Sequence, residues 1–123
     1  MIISHKYKFI FIKTLKTAGT SIEVFLSQHC GEEDVLTPIW PNVPPHSSQN
    51  HQGLFNPIPE IFILRRNFKA TIRDLSNRRK FYNHIPASLL KARVSSKIWN
   101  TYFKFCVERN YGQQKRYYFH DYC

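Results

Sequence analysis

The sequence predicts an α/β domain, because a buried strand, a short polar loop and an amphipathic helix follow one another near its start. Residues 7–12 are apolar, aromatic and β-branched, which is typical of a buried strand. A polar loop ends at Gly19, and Ile22, Phe25 and Leu26 then recur at helical spacing. This order of elements is the beginning of a βαβ unit.

The second half of the chain supplies a return to the sheet. Pro86 suits the first turn of a helix, and Leu90, Val94 and Ile98 then fall four residues apart on one face, with Ser95-Ser96 as a possible interruption of the helix. Residues 102–107 form a second aromatic and apolar run, which indicates another strand. A helix followed by a strand favours a parallel neighbour for the first strand, by the crossover rule.

The middle of the chain is irregular or basic. Residues 37–59 contain six of the seven prolines and predict a surface loop. Residues 61–64 fit a short strand or a packed turn. Residues 67–80 are strongly basic and fit a helix with a solvated face.

Composition limits the chain to one domain and gives it a strongly positive charge. The 123 residues include 18 Lys and Arg against 8 Asp and Glu, for a formal net charge of +10. Such a field attracts nucleotides, sulfated ligands, nucleic acid or anionic membranes. The apolar runs are too short to span a bilayer, and no export leader opens the chain, so the expected compartment is the cytoplasm. No Cys or His spacing suggests a metal site.

The most informative segment is the loop between the first strand and the helix, Lys16-Thr17-Ala18-Gly19-Thr20-Ser21. A helix start offers unpaired N–H groups and partial positive charge, and both favour a bound phosphate. Gly19 allows close backbone approach, Thr20 and Ser21 add hydroxyl donors, and Lys16 adds a cation. A kinase or ATPase P-loop is excluded, since G-x-x-x-x-G-K-[ST] places lysine after the second glycine.

This loop, preceded by the aromatic strand, resembles the 5′-phosphosulfate loop of sulfotransferases that use 3′-phosphoadenosine 5′-phosphosulfate (PAPS). The likeness is to the bacterial and carbohydrate-type members. It implies that Lys16, Thr17, Ala18, Gly19, Thr20 and Ser21 bind the cosubstrate. The family usually carries proline just before the lysine, where this chain has Leu15.

A second segment, from Tyr102 to Asn110, resembles the strand that leads into the 3′-phosphate motif of the same family. The resemblance implies that Arg109 pairs with the 3′-phosphate of PAPS. The planar guanidinium suits this role because it can bind phosphate through two parallel hydrogen bonds. Taken alone, an arginine after a strand is more often a surface ion-pair partner, but the two motifs occur in the family's order.

A third segment, Asn83-His84-Ile85-Pro86-Ala87-Ser88, also resembles family members, in which a histidine of this stretch is the catalytic base. The resemblance implies that His84 accepts the proton of the acceptor hydroxyl, a task suited to a neutral imidazole. Lys16 is then the second catalytic residue, stabilising charge on the departing oxygen. The alternative is that His84 is an ordinary turn residue.

The resemblance stops after Asn110. The family continues with proline, an aromatic residue and aspartate, and a serine that binds the 3′-phosphate lies eight positions after the arginine. This chain has residues 111–114 as Tyr-Gly-Gln-Gln and Tyr117 at the serine position. We therefore expect a partial sulfotransferase domain at residues 1–110 and a tail without a family counterpart at residues 111–123.

The implied fold is an incomplete P-loop-like three-layer αβα sulfotransferase fold with a short parallel sheet. The implied activity is transfer of a sulfuryl group from PAPS, without a metal, to a hydroxyl of a carbohydrate or other small molecule, weak or absent in this truncated chain. Two alternatives stay open. One is a nucleotide-phosphate-binding protein without sulfuryl transfer. The other is a basic nucleic-acid-binding module with Arg73 to Lys80 as its cations and Phe81 and Tyr82 as stacking groups.

Overall fold

The computed structural model describes residues 1–14 and 19–106, which form a mixed α/β arrangement. The strands are β1 (Ile2–Ser4), β2 (Phe9–Ile12), β3 (Val35–Leu36) and β4 (Phe103–Cys106). The α-helices are α1 (Gly19–Ser27), α2 (Phe68–Ser76), α3 (Ala87–Arg93) and α4 (Ser96–Thr101), with a π-helical turn at Pro59–Ile63. Within these residues, no helix has the length and apolar character needed to cross a bilayer.

The four strands form one sheet in the order β3-β1-β2-β4. Strand β1 is antiparallel to both β2 and β3, whereas β2 and β4 are parallel. The strand predicted at residues 7–12 corresponds to β2, and its expected parallel neighbour, β4, is therefore confirmed. The expectation of a short parallel sheet is wrong, because only this one of the three pairings is parallel.

The sheet is mixed because the chain enters it through a tight hairpin between β1 and β2. Lys8 adopts a positive φ of 56° in this turn. The Asp34 carboxylate holds the turn by accepting hydrogen bonds from the backbone N–H groups of His5 and Lys6 and from the Ser4 hydroxyl. Burial alone would raise the pKa of Asp34, but these bonds and one from Gly31 outweigh it and lower the pKa.

Apolar side chains cover both faces of the sheet, because successive strand residues point to opposite sides. On one face, Ile3 and Ile10 pack with Leu89 and Leu90 of α3. On the other face, the buried residues are Ile2, Phe11 and Leu36, and the partly buried residues packed against them include Ile22 and Leu26 of α1 and Phe105 of β4. Helices therefore pack against both faces of the sheet.

The central part of the chain agrees with the expectations and decides between the two alternatives for residues 61–64. Residues 37–57 contain no helix or strand apart from a single bridge from Gln49 to Leu36 of β3. Helix α2 lies within the predicted basic segment and begins after Asn67, whose side chain accepts a hydrogen bond from the Lys69 N–H. The segment at 61–64 belongs to the π-helical turn rather than to a strand, and the Leu64 N–H donates to the Pro59 carbonyl.

A buried ion network joins the π-helical turn to α2 and α3. The Glu60 carboxylate lies 2.6 Å from Arg93 Nε and 2.8 Å from an Arg66 nitrogen. Asp74 lies 2.7 Å from the other terminal nitrogen of Arg66 and 3.5 Å from Arg93. Arg93 also donates to the backbone carbonyls of Arg79 and Lys80. The network compensates the cost of burying two carboxylates with guanidinium groups that match their geometry.

The aromatic residues of the nucleic-acid alternative are not both available for stacking. Phe81 is only 6% exposed and belongs to the core beneath α3. The ring of Tyr82 is half-buried, with the Arg79 guanidinium 4.3 Å from its centre. Stacking on bases requires open aromatic faces. The prediction that Phe81 is a stacking group is therefore wrong.

Candidate functional site

The candidate site lies at the edge of the sheet where β2 and β4 end together. Ile12 and Cys106, the last residues of the two strands, are paired in register. In open α/β sheets, ligands bind outside the carboxyl ends of parallel strands. Residues 13 and 14 continue from β2, and α1 begins at Gly19.

Part of the predicted binding loop belongs to α1. Gly19, Thr20 and Ser21 form the first turn of this helix, with Thr20 half-buried and Ser21 exposed. Backbone N–H groups in a first turn have no partner within the helix, and a bound anion can satisfy them. The other predicted binding residues, Lys16, Thr17, Ala18 and Arg109, lie outside the described residues.

Gly19 is placed against the side chain of Lys13. A Cβ atom at Gly19 would lie 2.9 Å from Lys13 Cγ, too close for real carbon atoms. Lys13 is only 6% exposed, and its ammonium lies 3.1 Å from Glu23 Oε2. Because glycine has no side chain, position 19 makes room for the Lys13 side chain and not only for a ligand. The start of α1 is also anchored by the buried ion pair between Lys13 and Glu23.

Two further groups complete this buried cluster. The amino group of Met1 contacts Glu23 Oε1, and it also donates to the Thr37 hydroxyl at 2.8 Å. Burial, opposed by the charge of Glu23, lowers the pKa of the Met1 amino group to about 6. Glu23 therefore faces two amino groups: the Lys13 ammonium compensates its charge, and the Met1 amino group, whose pKa is lowered, donates a hydrogen bond to it.

His84 lies at the same edge of the sheet as the start of the loop. Its ring Nδ1 is 3.1 Å from the backbone carbonyl oxygen of Lys13, although 71 residues separate the two positions. His84 is exposed and has a φ of 57°. Left-handed backbone is uncommon for residues other than glycine, and such positions cluster at functional sites.

The contact with Lys13 determines which tautomer His84 adopts. A carbonyl oxygen only accepts hydrogen bonds, so Nδ1 must carry the proton and donate it. In the neutral ring, Nε2 is then the basic nitrogen, with no hydrogen-bond partner among the described residues. This is the arrangement that a general base requires: one nitrogen held by the fold and the other available to a substrate.

A cleft of ≈ 300 Å³ is lined by the residue before His84 but not by His84 itself. Its lining includes Gln52, Asn77, Arg79, Tyr82 and Asn83, the residue before His84. These side chains offer amide and guanidinium donors together with an aromatic ring. Such groups suit a small polar molecule that carries hydroxyls.

Two residues of the site could have been recognised but were missed. Glu23 occupies a position between Ile22 and Leu26 on the inward stripe of α1, where an apolar residue is expected. A carboxylate at such a position indicates a buried cation, because isolated buried charge is costly. Among the described residues, the lysine nearest to Glu23 in the sequence is Lys13, which directly follows β2.

The chain was compared with protein-family models, with characterised proteins and with solved structures, and none of the three comparisons found a match.

Proposed function

We propose that this chain is a PAPS-dependent sulfotransferase domain whose binding edge is formed by the carboxyl ends of β2 and β4. The pairing of Ile12 with Cys106 carries the proposal. It places the two segments that resemble cosubstrate-binding motifs after neighbouring strand ends, although the 80 residues from 22 to 101 separate them in sequence. The mixed sheet with helices on both faces is compatible with a three-layer αβα domain.

Chain length supports a shared ligand for these two segments. Lys16 is four residues from Ile12 and Arg109 is three residues from Cys106, which bounds their Cα atoms to within about 14 Å and about 11 Å of those strand ends. Neighbouring strands are about 4.8 Å apart. We propose that one nucleotide with phosphates at its 3′ and 5′ positions meets both side chains beside these neighbouring strand ends.

The transfer step that we propose uses the tautomer of His84. Nε2 accepts the proton of an acceptor hydroxyl as that oxygen bonds to the sulfur of PAPS. The bond between sulfur and the bridging phosphate oxygen breaks, and Lys16 stabilises the negative charge on the departing 3′-phosphoadenosine 5′-phosphate. The products are a sulfate ester and this bisphosphate, with the proton on His84. We assign the acceptor, a carbohydrate or small-molecule hydroxyl, to the cleft beside Asn83.

The differences between this chain and the sulfotransferase pattern after Asn110 lower the expected turnover. Tyr117 stands where the family has a 3′-phosphate-binding serine, so one ligand of the nucleotide is missing. In-line transfer depends on holding sulfur and acceptor oxygen in fixed positions, and a weaker grip on the nucleotide reduces that positioning. We therefore propose that the chain binds the nucleotide but transfers sulfate weakly or not at all.

Calorimetric titration with 3′-phosphoadenosine 5′-phosphate tests the proposal. The chain should bind this bisphosphate in preference to ATP, and Lys16→Ala should abolish binding while leaving the circular dichroism spectrum unchanged. Lys97→Ala, at an exposed position on α4, is the matched control and should bind normally. Equal affinity for ATP would favour a nucleotide-phosphate-binding protein instead. Unchanged affinity in Lys16→Ala would remove the loop from the site.

A further inference from the structure

Helix α2 and the π-helical turn before it expose apolar side chains and bury charged ones. Phe62 is 75% exposed and Phe68 is 62% exposed. The same surface includes further exposed apolar residues: Ile58, Ile63, Leu64 and Ile72. The buried side of α2 carries Thr71 and Asp74. This reverses the usual amphipathic pattern, in which the apolar face of a helix points into the protein.

The exposed charges of this surface all have one sign. In residues 58–80, every exposed charged side chain is an arginine or lysine: Arg65, Lys69, Arg73, Arg78 and Arg79. The only carboxylates of this stretch, Glu60 and Asp74, are buried in the ion network. The surface therefore presents aromatic and aliphatic groups among cations, without an exposed negative charge.

The surface is held in place from below. Arg66 contacts Glu60 of the π-helical turn at 2.8 Å and Asp74 of α2 at 2.7 Å, and so ties the two elements to each other. Arg93 links both carboxylates to α3. Because their polar groups are bonded inside, the outward side chains of the turn and α2 belong to one anchored unit rather than to a loose loop.

We propose that this unit, residues 58–73, docks on the surface of an anionic phospholipid bilayer. Its apolar side chains enter the boundary between headgroups and acyl chains, and Arg65, Lys69 and Arg73 bind the lipid phosphates and carboxylates. Peripheral helices bind membranes through this combination of buried apolar area and basic side chains. An exposed apolar surface of this kind marks an interaction site. The proposal is independent of the proposed sulfuryl transfer.

Charge and side-chain type favour the bilayer over two other occupants. A second copy of the chain would bring two sets of like charges together, and a chain with a net charge of +10 repels itself. Nucleic acid would match the cations, but Ile58, Ile63 and Ile72 have no flat face on which a base can stack. An anionic bilayer satisfies both the cations and the aliphatic groups.

Co-sedimentation with vesicles tests the proposal. The full chain should bind vesicles that contain about one-third phosphatidylserine, and bind pure phosphatidylcholine vesicles much more weakly. Lys69→Gln and Arg73→Gln should each weaken binding about five-fold. The double variant Phe62→Ser/Phe68→Ser should weaken it about ten-fold or more. Lys97→Gln and Phe25→Ser are matched controls, since Phe25 is 61% exposed on α1, and both should bind normally.

Three results would overturn the proposal. Absence of binding to phosphatidylserine vesicles, or equal loss of binding in the control variants, would show that residues 58–73 are not a lipid-binding surface. A dimer in sedimentation velocity that Phe62→Ser/Phe68→Ser dissociates would assign the surface to a second copy. Tighter binding to an oligonucleotide than to the vesicles, lost in Lys69→Gln and Arg73→Gln, would assign it to nucleic acid. Matching circular dichroism spectra would establish that each variant is folded.

Discussion

The ring Nδ1 of His84 lies 3.1 Å from the backbone carbonyl oxygen of Lys13 and joins the turn before α3 to the residue after β2. The bond leaves Nε2 as the basic nitrogen of the neutral ring. It also fixes the histidine at the edge of the sheet where Lys16 follows in sequence. This relationship connects a residue that resembles a catalytic base with a loop that resembles a phosphosulfate-binding loop.

Substitution of His84 separates its two roles. His84→Asn keeps a side-chain donor for the Lys13 carbonyl and tolerates the positive φ, but it has no basic nitrogen. In a chimera whose residues after Asn110 are replaced by the corresponding segment of a sulfotransferase, we expect turnover to fall by roughly 10²–10⁴ in this variant. Its affinity for 3′-phosphoadenosine 5′-phosphate should be unchanged. Turnover close to that of the chimera without this substitution would make His84 a turn residue only.

Substitution of Gly19 tests the packing of Lys13. In Gly19→Ala, the new Cβ would meet Lys13 Cγ at 2.9 Å, and Lys13 cannot swing away without breaking its buried pair with Glu23. We expect the free energy of unfolding to fall by about 1–3 kcal/mol, measured by urea denaturation. Gly31→Ala is the control, because its Cβ would meet only Lys6 Cδ at 3.9 Å. Equal stability of the two variants would contradict the tight contact.

Arg93 should be among the most sensitive positions of the fold. Arg93→Met leaves the buried carboxylate of Glu60 with only Arg66 and removes the donors to the Arg79 and Lys80 carbonyls. Breaking a buried pair in this way costs about 3–5 kcal/mol, which urea denaturation would measure. Arg73→Met, on the exposed side of α2, should change stability by less than about 0.5 kcal/mol. Similar losses in both variants would show that the network contributes little.

Local patterns predicted much of the architecture. Three patterns are local: the apolar run at β2, the helical spacing after Gly19 and the apolar run at β4. Each is made of residues that are close to one another in the sequence, so each can be recognised from the sequence alone. The parallel pairing of β2 with β4 followed from the crossover rule. Helix α2 was predicted from the basic segment at residues 67–80, whereas the cap that Asn67 provides is a finding of the structure.

The remaining features depend on contacts between distant residues. Strand β1 has three residues, too few to show an alternating pattern, so the antiparallel part of the sheet was not predicted. The pairing of Lys13 with Glu23 depends on how α1 lies on the sheet, and the contact of His84 with Lys13 spans 71 residues. Sequence spacing carries little information about such contacts, although a glutamate on an inward helical stripe was a usable signal.

The last prediction concerns acid stability and rests on Asp74. Burial alone would raise the pKa of this carboxyl, but the hydrogen bond and charge of Arg66, with the charges of Arg93 and Arg79, outweigh it and lower the pKa below its ordinary value of 3.8. The unfolded chain therefore binds a proton in acid more readily than the folded chain does. It follows that Asp74 stabilises the fold at pH values above 3.8 and that this contribution is lost as the pH falls through the lower folded pKa.

Urea denaturation from neutral pH to about pH 3 would measure this dependence. Asp74→Asn should be less stable than the wild type at neutral pH, because its neutral amide cannot balance Arg66. It should lose less stability on acidification, since the proton-linked group is gone. Glu32→Gln removes an exposed carboxylate from a loop and should follow the wild-type curve. If Asp74→Asn lost stability as steeply as the wild type, another carboxylate would be the source of the acid sensitivity. Asp34 would be the next residue to substitute, because its pKa is also lowered in the fold.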